Sequence, residues 1–515
     1  MSALESISAT TSLQDWFAPF RRNIIGIDQE FESPCGTQRI VYADWTASGR
    51  MYGPLEDVMR NEILPFVGNT HTETSETGAT MTQAYHHALK RIKQHVNAGP
   101  NHALICYGTG MTAVVNKFQR ILGLRVHERY HDLALKPEHE RPVVFVSHME
   151  HHSNQTSWLE ALCDVRVIDA DAQGSVDLGA LDRLLDEYRE RPLKIASVTS
   201  CSNVTGLFTP YYDIAERMHR AGGLCFVDFA CSAPYIDIDM RPTGRPDAHL
   251  DAIFFSPHKF LGGPGTPGAL VFDQKLYQNR IPDNPGGGTV DWTNPWGEHK
   301  YVDDIEARED GGTPGFLQAI RAALCVELKE SMGAARMLAR ERELLAILWP
   351  GLRAIPGLHM LADNQPHRLG VLSFYIDDLH YNLAVRLLND RFGIQCRGGC
   401  SCAGTYGHYL LSVSHEYSHS ITCQINAGNL TDKPGWVRVS IHPTMTDDEA
   451  RLIVHAVGEV ARQHRDWGRD YRYCSRSNEF CHIRDDDAKT KNGFPHGSHA
   501  CENRRRTDHR TYPRC

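Results

Sequence analysis

The sequence predicts an α/β fold with a large, mostly parallel sheet domain followed by a smaller α/β domain, and three observations carry that expectation. Between residues 103 and 272, short apolar segments alternate with helical ones, the pattern of a sheet covered on both faces. A long helical stretch follows, and then a second, shorter alternation of strands and helices. With 515 residues, 41% of them hydrophobic and 23% charged, the chain has enough apolar side chain to bury more than one core.

Taken in order, residues 1–40 form an amphipathic arm around Trp16, Phe17, Phe20 and Ile24, expected to pack with the smaller domain. From Val41 the pattern changes, and Tyr42 to Ser48 reads as a strand end entering a polar loop. Met81, Ala84, Tyr85, Ala88, Leu89, Ile92 and Val96 make a helical stripe. The strand candidates of the large domain, residues 41–315, are 103–106, 143–146, 165–168, 195–198, 224–227, 253–255 and 269–272. A helix over 212–221 ends at Gly222-Gly223. Residues 316–467 read as a linking helix over 316–349, stopped by Pro350, and a domain with strands at 370–376 and 436–441. Its helix over 379–392 stops at Gly393, and Thr446 with Glu449 makes a capping box for the last helix. Periodicity fades after Trp467, so 468–515, rich in Asp, Arg, His, Asn and Gly, is expected to be disordered or loosely docked.

The composition excludes several classes of function. A formal net charge of −9, spread along the chain, leaves no general basic face for nucleic acid, and Arg504-Arg505-Arg506 reads as a solvated run. No apolar run approaches the ~18 residues of a membrane span. The first 23 residues lack the apolar core of a secretory signal. Fifteen cysteines, an odd number in scattered contexts, read as reduced thiols of a cytoplasmic protein.

The chemistry gathers where strands end. The run 252–255 leads into Ser256-Pro257-His258-Lys259, with Gly262-Gly263-Pro264-Gly265 behind it. A lysine at the end of a buried strand loses solvation and can act as an amine nucleophile; taken alone, it reads first as a surface lysine after a strand. Tyr107-Gly108-Thr109-Gly110 stands between a strand and a helix and offers backbone N–H groups to a phosphate, or is a plain turn. Glu150-His151-His152-Ser153-Asn154 puts an imidazole at the same edge, to stack on a flat ring, move protons or ligate a metal. Ser202-Asn203 adds an amide donor. Asp228, closing an apolar strand, is a carboxylate that needs a cationic partner. A phosphate cradle, a stacking imidazole, a buried acid and a lysine together describe a site for pyridoxal phosphate.

The order Gly-Thr, Glu-His-His-Ser-Asn, Ser-Asn-x-x-Gly, Val-Asp, Ser-x-His-Lys and Gly-Thr-Pro resembles the class V aminotransferase family, and within it the cysteine desulfurase branch. The resemblance covers roughly residues 42–459 and implies a fold-type-I pyridoxal phosphate enzyme, similar in architecture to aspartate aminotransferase. It implies that Lys259 is the Schiff-base lysine, Asp228 the partner of the pyridine nitrogen, and His151 the stacking histidine. Asn203 corresponds to the donor to the phenolic oxygen, and Thr109, Gly110, Ser256 and His258 to the phosphate cradle. Thr313 resembles the threonine that reaches the phosphate in the neighbouring subunit, which implies a homodimer with shared active sites.

Arg397-Gly398-Gly399-Cys400-Ser401-Cys402 resembles the desulfurase loop, with Cys402 the nucleophile that takes sulfur as a persulfide and Arg397 a supporting charge. Arg438 matches the arginine that clamps the substrate carboxylate. The implied reaction is desulfuration of L-cysteine or a related sulfur amino acid, with a sulfur-acceptor protein as a further partner. The chain departs from the family at Cys231, where a glutamine is common, at Gly110 and Cys400-Ser401, and in an insertion over 409–434. Other readings stay open at this point. The reaction could be that of a C–S lyase, epimerase or aminotransferase, or the protein a non-catalytic cofactor-binding or sulfur-relay protein. Cys396, Cys400 and Cys402 with His408 are alternatively metal ligands, or inert.

Overall fold

The computed structural model describes residues 12–70 and 72–484. Its centre is a seven-stranded sheet made of β1 (His102–Tyr107), β2 (Val143–Ser147), β3 (Asp164–Ile168), β4 (Lys194–Thr199), β5 (Leu224–Asp228), β6 (Ala252–Phe255) and β7 (Gly268–Asp273). The spatial order is β1-β7-β6-β5-β4-β2-β3. β7 runs antiparallel to both its neighbours, whereas β6, β5, β4, β2 and β3 pair in parallel. Each expected strand is present, because runs such as Ile253-Phe254-Phe255 are buried on both faces. Phe226 and Phe254 pack with Phe118 and Trp158 on one side, while Val227, Ile253 and Phe255 join the larger core on the other. The carboxyl ends of the parallel strands therefore share one edge, where side chains are free to meet a ligand.

A second, antiparallel sheet consists of β8 (Leu358–Met360), β9 (Val371–Ile376), β10 (Arg397–Gly399) and β11 (Trp436–Ser440), in the order β8-β9-β11-β10. The helix Tyr381–Phe392 ends at Gly393 in the left-handed conformation, and Thr446 and Glu449 form the capping box of Asp447–Trp467. The short strands β8 and β10 escape a pattern search, since Arg-Gly-Gly carries no apolar alternation. Two expectations are corrected. The stretch 316–349 is two helices, Phe316–Met332 and Ala334–Arg353, separated at Gly333 with φ of +80°. Pro350 lies inside the last turn of the second and does not stop it: the helix runs on to Arg353, with the Pro350 carbonyl accepting the Ala354 N–H.

The second correction concerns the chain after Trp467. Tyr471–Cys474 and Glu479–His482 form a hairpin, which Tyr471 ties to Asp390 at 2.9 Å and Asn478 to the Tyr381 hydroxyl at 2.6 Å. The expected insertion contains the helix His415–Asn426, and Leu430 N–H donates to Ser475 O of the hairpin turn. Residues 485–515, including Arg504–Arg506, lie outside the described residues. At the other end, helix Leu13–Arg22 docks through a two-pronged Arg21–Glu449 ion pair and a Trp16 Nε1–Met332 O bond. Among the described residues, no helix is long and apolar enough to cross a membrane.

Candidate active site

A cavity of about 220 Å³ lies at the carboxyl edge of the large sheet and faces the second sheet. Its lining brings together Thr109, Gly110, His151, Asn203, Asp228, Ser256, His258, Lys259, Arg397, Cys402 and Arg438. Thr313 is the exception. It lines an adjoining cleft of about 680 Å³, shared with Thr109 and His258.

The lysine is placed by a tight turn. After β6, Pro257–Lys259 forms a single helical turn, closed by Lys259 N–H to Ser256 O. The turn can lie against residues 44–50 because residue 49 is glycine: a Cβ there would sit 1.8 Å from Phe260 O. Burial is the largest influence on the Lys259 amine and lowers its pKa, with Cys231 and Asp228 acting against it. Across the cavity, Ser256 Oγ accepts the N–H of Met111 at the start of helix Met111–Ile121. Gly110, with φ of +139°, leaves the space beside His258 and Ser256 open, and a Cβ there would approach His258 Cε1 to 3.0 Å. The loop after β1, the helix start and the Ser256 hydroxyl thus border a space whose helix-end field suits an anion.

His151 caps the helix His152–Leu159, its Nδ1 accepting the Ser153 N–H at 3.1 Å. Burial, helped by the Lys259 charge, pushes its pKa down to about 3, so the ring is neutral near pH 7. Glu150 holds this segment from beneath. It accepts from Ser147 N, Asn154 Nδ2 and Thr199 N, joining the ends of β2 and β4.

Asp228 ends β5 and is 4% exposed; its Oδ1 accepts the Ala230 N–H at 2.8 Å. Burial raises the pKa from 3.8 to about 6. That rise corresponds to roughly 3 kcal/mol, which the cofactor-free protein gains below pH 4 and loses as the pH climbs through 6. Relative to Asp228→Asn, which cannot titrate there, the cofactor-free wild type is therefore expected to lose about that much unfolding free energy between pH 4 and 7. Paired urea titrations at the two pH values check it, and equal pH dependences would show the carboxylate to be solvated.

The loop carrying Cys402 is strained and braced. Ser401 and Cys402 take φ values of +51° and +56°, left-handed conformations that non-glycine residues adopt at a cost of the order of 1–3 kcal/mol each. His152 N–H donates to Cys402 O at 2.7 Å, and Gly404 N–H donates to His152 Nε2 at 2.8 Å. Asn203 Nδ2 donates to Ser401 O at 2.8 Å. These bonds hold an exposed cysteine at the mouth of the cavity. Cys396, Cys400 and His408 are not gathered with it at metal-ligand spacing; among the described residues that spacing occurs only for His219, His249 and Asp251.

Two residues went unread in the sequence. His152 was grouped with His151, yet it braces the cysteine loop and not the ring site. Asp44 pairs with both Arg438 and Arg397, and a carboxylate just after the apolar Val41-Tyr42-Ala43 was the available signal. Cys231, where the family commonly has glutamine, donates its thiol to Ser202 O at 3.6 Å and faces the same cavity.

The donor set fits pyridoxal phosphate. Asp228 is a buried acid awaiting a cation and the Gly110 cradle is open to an anion, whereas Asn203 Nδ2 donates to Ser401 O and only its acceptor Oδ1 is unpartnered, so a bond to a phenolic oxygen would require Nδ2 to leave Ser401. A mostly parallel sheet with a lysine, an acid and an imidazole at its carboxyl edge, facing a smaller antiparallel sheet, defines a class of α/β enzyme. The matching family model is aminotransferase class-V, over residues 41–453, and the chain belongs to that family. The chain is 26% identical over 377 residues to a probable cysteine desulfurase of Staphylococcus epidermidis, covering 72% of this chain and 85% of that one. A probable cysteine desulfurase of Staphylococcus aureus is also 26% identical, over 371 residues, 71% of this chain and 84% of the relative. The fold is shared with the apo cysteine desulfurase of Thermococcus onnurineus at a TM-score of 0.69, with 19% identity over 88% of this chain and all of the other. The cysteine desulfurase CsdA of Escherichia coli gives 0.66, with 21% identity over 87% and 98% of the two chains.

Proposed function

We propose that the protein is a pyridoxal phosphate-dependent cysteine desulfurase, acting on L-cysteine or a closely related sulfur amino acid. The observation that carries this reading is the one cavity lined by Lys259, Asp228 and His151 with an exposed Cys402 at its mouth. Pyridoxal phosphate supplies an electron sink that weakens bonds at the substrate's α and β carbons. Thr109, Gly110, Ser256 and His258 would hold its phosphate, His151 would stack on its ring, Asn203 would meet its phenolic oxygen, and Asp228 would keep a proton on its ring nitrogen.

The remaining steps belong to the chain. Arg438 binds the substrate α-carboxylate, and Lys259 moves the proton at the substrate α carbon. The Cys402 thiolate attacks the substrate sulfur: a S–S bond forms, the carbon–sulfur bond breaks, and its electron pair is protonated at the β carbon. The products are alanine and a Cys402 persulfide. Release of sulfide requires a further thiol reductant, or an acceptor protein that takes the sulfur directly. The neutral ring of His151 suits it to stacking without adding charge. Thr313, in the adjoining cleft, is positioned on the reading of a homodimer in which it serves the partner's phosphate.

The test is incubation of the cofactor-loaded protein with L-cysteine and dithiothreitol. Alanine and sulfide in equal amounts are expected. Pyruvate and ammonia with sulfide would indicate a C–S lyase instead.

A further inference from the structure

Antiparallel pairing of β10 with β11 sets Arg397 directly opposite Arg438. Like charges so placed repel, and an anion between them relieves the repulsion. Asp44 supplies it. Its Oδ1 accepts from Arg438 Nη2 at 2.7 Å, and its Oδ2 accepts from Arg397 Nε at 3.2 Å. Charge alone does not place this carboxylate, because the backbone at Asp44 bridges Ser440 and Thr46 N–H donates to Ser440 Oγ at 2.9 Å.

The donors of Arg438 divide unevenly. Nη1 donates to Asn203 O at 3.2 Å, Nη2 is taken by Asp44, and Nε is buried without a hydrogen-bond partner. The Nε–Nη2 edge is a planar fork of the kind that receives a carboxylate through two parallel bonds. Half of that fork already holds a carboxylate of the chain itself.

We infer that Asp44 is a specificity-determining residue, an internal competitor for the Arg438 fork that an incoming α-carboxylate must displace at Nη2 while Asp44 stays with Arg397. The inference rests on the assignment of Arg438 to the substrate carboxylate. Two cations against one fixed anion leave one positive charge, enough for one monoanionic ligand. A bare anion displaces Asp44 with a single anchor and gains little. An amino acid, held also through its amino group and side chain, brings further contacts to the exchange, so the site selects against simple carboxylates.

The test uses acetate, a carboxylate that requires neither the cofactor nor a thiol chemistry. Its half-saturation is read from thermal unfolding at constant ionic strength, in wild type, Asp44→Asn and Asp44→Ser, with Arg438→Lys in the Asp44→Asn background. The expected result is at least a tenfold tighter acetate midpoint in both Asp44 variants, abolished by Arg438→Lys. In turnover, Asp44→Asn should lower the KM for L-cysteine and raise inhibition by acetate, with kcat changing less than KM. Equal acetate midpoints in wild type and both variants overturn the inference. Failure of the desulfurase reading looks different: wild type then turns over no cysteine, whatever acetate does. Two variants guard against a folding defect in one, since a destabilised variant still reports its acetate midpoint.

Discussion

Lys259→Ala is expected to cut turnover of L-cysteine severely, lowering kcat by about two to four orders of magnitude, the scale set by losing a positioned proton-transfer group. The argument is local. Lys259 lies in the cavity lined by Asp228, His151 and Arg438, and burial lowers its pKa, so its amine loses a proton more readily than a surface lysine. On the proposed function, alanine removes both the attachment point and the proton carrier. Because the turn is closed by backbone bonds, Lys259 N–H to Ser256 O and Gly49 N–H to His258 O, the variant should keep its fold. Stopped assays with matched circular dichroism spectra check this. Activity within tenfold of wild type would remove Lys259 from the chemistry.

Cys402→Ser has the second large expected effect, and a different signature. Serine preserves the shape of the loop but supplies no thiolate, so transfer of sulfur should fall by at least about a thousandfold. Cofactor binding should be unchanged, since Cys402 sits at the mouth, whereas the phosphate cradle is assigned to Thr109, Gly110, Ser256 and His258 and the ring nitrogen to Asp228. Titration of the cofactor into both proteins, followed by its absorption, separates the two effects. If the serine variant still makes alanine and sulfide at the wild-type rate, another group takes the sulfur.

The large sheet was legible because most of its strands are apolar runs buried on both faces, and runs such as Val143-Val144-Phe145-Val146 can hardly serve another purpose; the edge strand Asp164–Ile168 is half-buried. The site residues after β2, β4, β5 and β6 were legible for a related reason: polar groups at strand ends have no packing role that would explain them. What stayed hidden depended on contacts distant in sequence. The role of Asp44 exists only because β10 and β11 bring Arg397 and Arg438 together, hundreds of residues away. His152 is a brace only because residues 400–404 fold across it. The left-handed backbone of Ser401 and Cys402 has no sequence signal, since neither is glycine or asparagine. Gly333 was read as part of one long helix, where the structure uses its positive φ to turn the chain. The hairpin at Tyr471–His482 was obscured by polar composition, although Tyr471 and Phe480 pack on the core and Tyr471 and Asn478 add hydrogen bonds to Asp390 and Tyr381.

The central claim is that Cys402 takes sulfur from the substrate. It is tested most directly by one turnover of the cofactor-loaded protein with L-cysteine in the absence of any reducing thiol, followed by mass spectrometry of the Cys402 peptide. The expected result is the mass of one added sulfur atom on Cys402 with one alanine released per site, and neither in Cys402→Ser. An unmodified Cys402 peptide accompanied by released alanine would contradict the account.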